Sequence, residues 1–209
     1  KSSLNMANPD GSGWKKISDV DLRDISIASI PESILISFWN APDAYTETSF
    51  QTVSSIIEAA TNTASAGIFG ADYLWNSDGT RLLISHTDKK GGSKIELATA
   101  DDRGENFKDL EIPTLVSKAA WSKDNQTGYY ALPGSIPESA VMPNDYASGK
   151  FNTTDLFWKV DVSTGKKSRV VDLKEVPVGL DAANLFFNAD ESFLFFVNRV
   201  DGKLYKISL

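Results

Sequence analysis

The chain contains no cysteine and only one histidine, His86, and these two shortages exclude several kinds of site. Without cysteine there is no disulfide framework, no thiolate nucleophile and no cysteine-bound zinc. A zinc site would need mostly carboxylate ligands, which is unusual, and a Ser-His-Asp triad would have to use His86. No G-x-S-x-G sequence accompanies it. We therefore expect no catalytic residues, no metal and no cofactor.

Long apolar runs and a surplus of basic residues are also missing. No run of 18 apolar residues occurs, which argues against a membrane span in this segment. The formal net charge of -7 argues against nucleic acid and anionic lipid as partners. No signal peptide is visible, and the first residue is Lys1 rather than Met. We expect a fragment or a processed product, from which an upstream anchor or signal could have been lost.

What the sequence does contain is an internal repeat. Three segments align without a gap: Leu74–Ser85, Ala120–Ala131 and Phe186–Val197, with a weaker copy at Ile25–Phe38. The three clear copies each have an aromatic residue, Asn or Ser, any residue, Asp, a small or polar pair, and then an apolar run. The polar residues favour a tight turn, and the aromatic and β-branched runs favour strands. Each copy therefore predicts a β-hairpin.

The spacing of the copies identifies the larger unit. Asp78 follows Pro31 by 47 residues, Asp124 follows Asp78 by 46, and Asp190 follows Asp124 by 66. A period of roughly 40–50 residues is typical of a four-stranded propeller blade. The longest interval needs an insertion, and Leu132–Phe151, which contains three prolines and little periodicity, is the candidate.

We therefore predict an all-β fold, a β-propeller of about four four-stranded blades that is either complete or part of a larger ring. Residues 1–209 would form one domain, either whole or a fragment. A β-sandwich would also show regular hairpins, but it explains the ungapped internal match poorly. The predicted blades are 1–17 (partial), 25–57, 69–112, 116–173 and 181–209 (closing).

The turn-and-strand pattern resembles the TolB-type, PD40 (WD40-like) propeller repeats of bacterial envelope proteins. Trp75–Thr80, Trp121–Asp124 and Asn8–Ile17 carry this resemblance. The second half, Ala120–Val162 with Leu185–Leu209, is also similar to the C-terminal half of uncharacterised propeller proteins from bacterial candidate phyla. The resemblance implies an extracytoplasmic location, in the periplasm or at the cell surface. It brings no catalytic residues, because such repeats occur both in binding scaffolds and in non-catalytic domains of peptidases.

Blade topology predicts two unequal faces. Turns between first and second strands and between third and fourth strands are short and emerge on one face, while second-to-third loops and links between blades emerge on the other. The long loops fall mostly in the second class, and long loops on a rigid scaffold are where binding residues concentrate. These loops are Trp39–Glu47, Glu58–Gly67, His86–Ser93, Leu132–Phe151 and Lys174–Asp181.

We predict a binding rim on this loop-rich face. Trp39 and Tyr45 are expected to be exposed aromatics of one loop. The alternative is that the insertion merely packs over a neighbouring blade. The predicted rim residues are Trp39, Tyr45, His86, Met142, Asn144, Asp145 and Tyr146.

Two repeat tryptophans, His86 taken alone and several acidic residues are interpreted as structural rather than functional. Trp75 and Trp121 recur at one repeat position and are predicted to be core residues. His86 alone is most simply a surface residue of a loop. The acidic group Asp19, Asp21 and Asp24 does not match a calcium loop and is interpreted as a solvated turn. The repeated acids are interpreted as turn-forming residues rather than ligands: Asp10, Asp78, Asp124 and Asp190.

Three functions remain open at this point. The first is a non-catalytic binding scaffold in a bacterial envelope with a protein or glycan partner. The second is the accessory propeller of a larger enzyme such as a peptidase or hydrolase. The third is a propeller hydrolase with its own carboxylates. The ring could be closed by missing upstream blades, by the strand Trp14–Ile17 acting as a clasp, or by a second copy in a homodimer.

Overall fold

The computed structural model describes residues 2–56, 62–65, 67–172, 176 and 179–209, with 62–65 described by their backbone only. These residues form antiparallel sheets, one short α-helix and a single 3-10 turn. The all-β prediction is therefore confirmed. Within every sheet the strands follow one another in chain order, so each sheet is an antiparallel meander.

Five sheets follow one another along the chain. Sheet I consists of β1 (Ser2–Met6) and β2 (Lys15–Val20). Sheet II consists of β3 (Ile25–Ser29), β4 (Leu35–Asn40), β5 (Phe50–Ser54) and β6 (Asn62–Ser65). Sheet III consists of β7 (Phe69–Trp75), β8 (Arg81–Thr87), β9 (Ile95–Asp101) and β10 (Lys108–Asp109). Sheet IV consists of β11 (Ala119–Trp121), β12 (Thr127–Pro133), β13 (Asp155–Asp161) and β14 (Lys167–Arg169). Sheet V consists of β15 (Ala182–Phe187), β16 (Phe193–Asn198) and β17 (Leu204–Ser208).

The repeated hairpin turns form as the sequence predicts. The side chain of each turn aspartate accepts a hydrogen bond from the backbone N–H two residues later. The N–H···Oδ1 distances are 2.9 Å at Asp10, 3.0 Å at Asp78, 2.8 Å at Asp124 and 3.1 Å at Asp190. Each carboxylate therefore fixes its own turn, which confirms the turn-forming interpretation.

The hydrophobic core is divided into layers between successive sheets. Phe38 and Val53 pack with Ile17 of sheet I, and Trp75 packs with Phe50 across sheets II and III. Further layers join sheet III to sheet IV and sheet IV to sheet V. Face-to-face stacking of consecutive meanders is how a propeller buries apolar surface, because one such sheet cannot cover its own faces.

Two loops differ from their predictions. Residues 62–65 of the predicted loop Glu58–Gly67 form β6, which pairs with β5 through its backbone. The sequence does not predict this strand because its Thr, Ala and Ser residues are not the aromatic or β-branched apolar run that indicates one. Most other residues of that loop lie outside the described residues, as does much of Lys174–Asp181. His86 lies within β8 and not in a loop, because the ladder to β9 continues as far as Thr87.

The insertion separates β12 from β13. Its main element is a short helix, α1 (Asn144–Ala147), on the loop-rich face of sheet IV. Met142 and Tyr146 are buried together with Ile95 and Leu115, which belong to sheet III and to the link after it. The insertion therefore folds back over its neighbours and does not project into solvent.

Candidate functional site

Most of the predicted rim residues are not exposed. The exposed fractions are 3% for Trp39, 8% for His86, 1% for Met142 and 5% for Tyr146, whereas Tyr45 is 53% exposed. Asn144 and Asp145 are half-buried. Of the seven, only Tyr45 is a freely exposed aromatic, and binding by these residues remains a prediction.

The expectation that Trp39 is exposed is wrong. Its ring packs against Phe50 at 5.8 Å and Tyr73 at 5.2 Å between centroids, and its Nε1 donates a 2.9 Å hydrogen bond to Asp72 Oδ1. Sheet III covers the end of β4, so a tryptophan that precedes a loop in the sequence lies in the layer between two sheets. Sequence position alone does not reveal that cover.

His86 is likewise buried rather than an ordinary surface residue. Its Nε2 lies 2.8 Å from Asp109 Oδ1 on the edge strand β10, and its ring packs edge-on against Phe107 at 5.3 Å. These contacts are within sheet III and its outer turn. The structure does not bring His86 together with Met142 and Tyr146.

The insertion joins loops from several sheets. Asn144 Nδ2 donates to Asp43 Oδ1 at 2.7 Å, and Asn144 Oδ1 accepts from the Ala44 backbone N–H at 2.8 Å. The Met142 N–H donates to the Gly92 carbonyl at 3.2 Å. The insertion thus packs over neighbouring sheets, as the alternative interpretation expected, and it holds the loops of sheets II and III in fixed positions.

A buried charge cluster that the sequence does not predict lies beneath α1. Lys118 is completely buried, and its Nζ donates to Asp155 Oδ2 and Asp181 Oδ1, each at 2.6 Å, and to Thr153 Oγ1 at 3.0 Å. The Tyr146 hydroxyl donates to Asp181 Oδ1 at 2.6 Å. The sequence feature that could have indicated this cluster is Lys118 itself, a single lysine in the largely apolar segment Leu115–Trp121.

The two aspartates of this cluster differ in their electrostatics. Burial raises the pKa of Asp155 above its ordinary value, and Lys118 only partly offsets that effect. Burial also acts on Asp181, but hydrogen bonds from Lys118 and Tyr146 outweigh it and hold the pKa of Asp181 below its ordinary value. Lys118 thus contacts both carboxylates at 2.6 Å, and Asp181 also anchors the insertion through Tyr146.

A cavity of about 490 Å³ opens on the loop-rich face below α1, where the first strands of sheets III and V approach the segment that precedes sheet IV. We call it the loop-face cavity. Its walls are mostly small or apolar, and Asp72 and Arg199 are its charged residues. The lining residues are Ala41, Pro42, Gly70, Asp72, Leu115, Ser117, Pro143, Tyr146, Ala147, Ala183, Asn184 and Arg199.

Contacts within the protein fix the side chains of both Asp72 and Arg199. Asp72 Oδ1 accepts hydrogen bonds from Trp39 Nε1 at 2.9 Å and from the Tyr73 N–H at 3.1 Å. The Arg199 guanidinium lies over the Tyr146 ring with Cζ 3.9 Å from the centroid, and its Nη2 donates to the Tyr146 carbonyl at 3.1 Å. Fixed polar groups in an otherwise apolar hollow are typical of a ligand-binding site.

Gly70 allows the insertion to approach sheet III. It has a positive φ of +62°, and a Cβ atom there would lie 2.7 Å from Pro143 Cδ and 3.2 Å from Thr87 Cγ2. Any side chain at this position would therefore push against the wall of the loop-face cavity.

We expect Gly70→Ala to destabilise the protein more than Gly149→Ala. Gly149 also has a positive φ, +75°, but a Cβ atom at Gly149 would have no neighbour within 4 Å, so this position isolates the backbone effect. The control should lose about 1–2 kcal/mol from backbone strain, and Gly70→Ala about 1 kcal/mol more from the steric clash. Urea unfolding measures both, and equal losses would contradict the role given to Gly70.

Neither a metal cluster nor a membrane-spanning helix occurs in the part of the chain that the structure describes. Across the described ranges, no group of three or more histidine, cysteine, aspartate or glutamate side chains is arranged to hold a metal ion. Among the same residues, no helix has both the length and the apolar character needed to cross a bilayer.

Comparisons with known proteins give matches among solved structures. No protein-family model matches the chain, and no curated protein matches its sequence. A putative TolB from Agrobacterium tumefaciens superposes with a TM-score of 0.65 at 12% identity, over 99% of this chain and 65% of that one. For TolB from Acinetobacter baumannii the TM-score is 0.60 at 14% identity, over 99% and 48%.

An enzyme has the same architecture. An oligogalacturonate lyase in complex with manganese superposes with a TM-score of 0.66 at 15% identity, over 99% of this chain and 54% of that one. The chain thus spans less than two thirds of the length of each of these proteins. At such identities the likeness concerns the fold and not the activity. The layered antiparallel meanders and these superpositions together show that the chain has a TolB-like β-propeller fold.

Proposed function

We propose that this chain is a non-catalytic binding scaffold whose loop-face cavity takes a segment of a protein partner. The observation that carries the proposal is the cavity itself, which combines about 490 Å³ of space with mostly apolar walls and two fixed charged residues. Cavities of roughly 300–1,000 Å³ with this composition are typical of binding sites. The apolar walls favour a protein segment over a glycan.

The rigidity of the surrounding loops supports the proposal. Hydrogen bonds from Asn144 to Asp43 and Ala44, and from Tyr146 to Asp181, tie the insertion to sheets II and V. Because these loops are held before a ligand arrives, little conformational entropy is lost on binding. A preformed cavity of this kind suits recognition without a large rearrangement.

We further propose an extracytoplasmic location, in the periplasm or at the cell surface. The resemblance of the turn repeats to those of bacterial envelope propellers supports it. Expression of the full-length protein, followed by fractionation of the cells, tests this location. Recovery of the protein in the cytoplasmic fraction alone would contradict it.

A second candidate is an accessory propeller in a larger enzyme. The superposition with an oligogalacturonate lyase supports this candidate, because the matching propeller region is 54% of that enzyme's chain. The full-length gene decides between the two candidates. A catalytic domain beside the propeller would support the second.

The binding proposal is tested by filling the cavity. Ala147 lies in α1, is exposed and lines the cavity, and the adjacent Ser148 is exposed but does not line it. We expect peptides selected from a random library against the protein to lose binding to Ala147→Trp and to keep it with Ser148→Trp. Fluorescence anisotropy measures the affinities. If no selected peptide distinguishes the two variants, the proposed site is wrong.

A further inference from the structure

Asp72 presents an unused acceptor to the loop-face cavity. Both of its hydrogen bonds, from Trp39 and from the Tyr73 N–H, go to Oδ1. Oδ2 accepts no hydrogen bond from any residue that the structure describes, and it is not among the buried polar atoms that lack a partner. Oδ2 is therefore not fully enclosed by protein, and Asp72 is part of the cavity wall.

The surroundings of Asp72 do not fully compensate its charge. Burial raises the pKa of the Asp72 carboxyl, and the hydrogen bond from Trp39 offsets only part of that effect. Removing a carboxylate from water is costly unless a cation or further donors replace the water. A ligand that brings a positive charge to Oδ2 would supply that missing compensation.

The other charged residue of the cavity, Arg199, pairs with Asp181 rather than with Asp72, and its Nη1 is buried without a hydrogen-bond partner among the described residues. Arg199 is stacked on Tyr146, bonds the Tyr146 carbonyl, and places Nη1 3.7 Å from Asp181 Oδ2. No ion pair links Asp72 to a basic residue within the described ranges. The cavity thus contains one acid that has no cation of its own.

We propose that the loop-face cavity recognises a lysine or arginine side chain of the partner, with the cationic group against Asp72 Oδ2. This inference rests on the proposed function and names the chemistry of the segment that binds. The apolar stem of such a side chain would lie along Pro42, Leu115 and Pro143. The net charge of -7 also favours encounter with a basic partner.

The experiment uses the peptides selected from the random library and the variant Asp72→Asn. Asparagine keeps an acceptor for Trp39 and Tyr73 but removes the charge. The control is Asp102→Asn, because Asp102 is exposed, does not line this cavity, and carries the same charge. In parallel, the basic residue of the peptide is replaced by norleucine, which leaves the protein unchanged and keeps the test valid if Asp72→Asn folds poorly.

We expect the cavity-dependent peptides to be enriched in lysine or arginine. Asp72→Asn and the norleucine peptide should each weaken binding about tenfold or more, and the two changes together should cost no more than either alone, since they remove the same contact. Asp102→Asn should change the affinity less than about twofold, because solvent and salt screen an exposed charge.

Two results would overturn the inference and can be told apart. Peptides that Ala147→Trp blocks but that bind Asp72→Asn and wild type equally would refute recognition of a basic group and leave the binding scaffold standing. Failure to obtain any peptide that Ala147→Trp blocks would refute the proposed function, and this inference with it.

Discussion

Replacing Lys118 by methionine is expected to lower the free energy of unfolding by about 3–5 kcal/mol, because both buried carboxylates lose the cation that they bond directly. Only Asp181 keeps a second cation nearby, Arg199, whose Nη1 is 3.7 Å from Asp181 Oδ2. Asp155 and Asp181 are each completely buried and each bond Lys118 Nζ at 2.6 Å. Methionine has a similar length and apolar stem, so the loss reports charge rather than volume. Urea unfolding followed by tryptophan fluorescence measures it.

Two comparisons make this result interpretable. Lys90→Met removes an exposed lysine and should change stability by less than about 0.5 kcal/mol. Adding Asp155→Asn to Lys118→Met should restore part of the loss, because it removes one of the uncompensated charges. A loss equal to that of Lys90→Met would mean that water or relaxation solvates the cluster, and the stabilising role given to Lys118 would be wrong.

Replacing Phe50 by alanine is expected to cost about 3–5 kcal/mol, by loss of buried area and creation of a cavity. Phe50 is 1% exposed and lies 4.4 Å from Tyr73, 5.8 Å from Trp39 and 6.3 Å from Trp75 between ring centroids. These four rings lie together in the layer between sheets II and III. The loss should appear as a lower urea midpoint with an unchanged slope.

The matched control for Phe50 is an exposed aromatic residue. Trp14 is 72% exposed, and its Nε1 donates only to the nearby Gly11 carbonyl. Trp14→Ala should therefore change stability by less than about 0.5 kcal/mol. If Phe50→Ala and Trp14→Ala had similar effects, the layer between sheets II and III would not be a major source of stability.

The aromatic residues show how far the repeat in the sequence can predict which side chains are buried. Trp75 and Trp121 recur at one position of the repeat, which predicts core residues. Trp75 is 8% exposed, and Trp121 is half-buried and packs against the layer between sheets III and IV. Trp39 stands outside that position at the end of a strand, and its burial depends on sheet III, which lies later in the chain. The repeat therefore predicts burial for a residue whose packing is part of the repeating unit. It does not predict burial for a residue such as Trp39, which is covered by a different sheet.

The sequence locates the candidate binding site only in part. Loop length points to the loop-rich face and to the insertion, and the loop-face cavity does open there. Loop length does not reveal Asp72 and Arg199, which give the cavity its charge, because each belongs to a strand or short turn with no unusual sequence. Met142 and Tyr146 are predicted rim residues, but both are buried against the sheets.

The sequence by itself determined most of the strands, the hairpin turns and the inequality of the two faces, because each depends on residues close together in the chain. The side chain of an aspartate accepts a hydrogen bond from the N–H two residues later, and a short run of aromatic and β-branched residues favours a strand. Only the tertiary structure decided the buried cluster and the cavity. Lys118 meets Asp181 across 63 residues, and Asn144 meets Asp43 across 101, so their contacts exist only after the sheets have stacked.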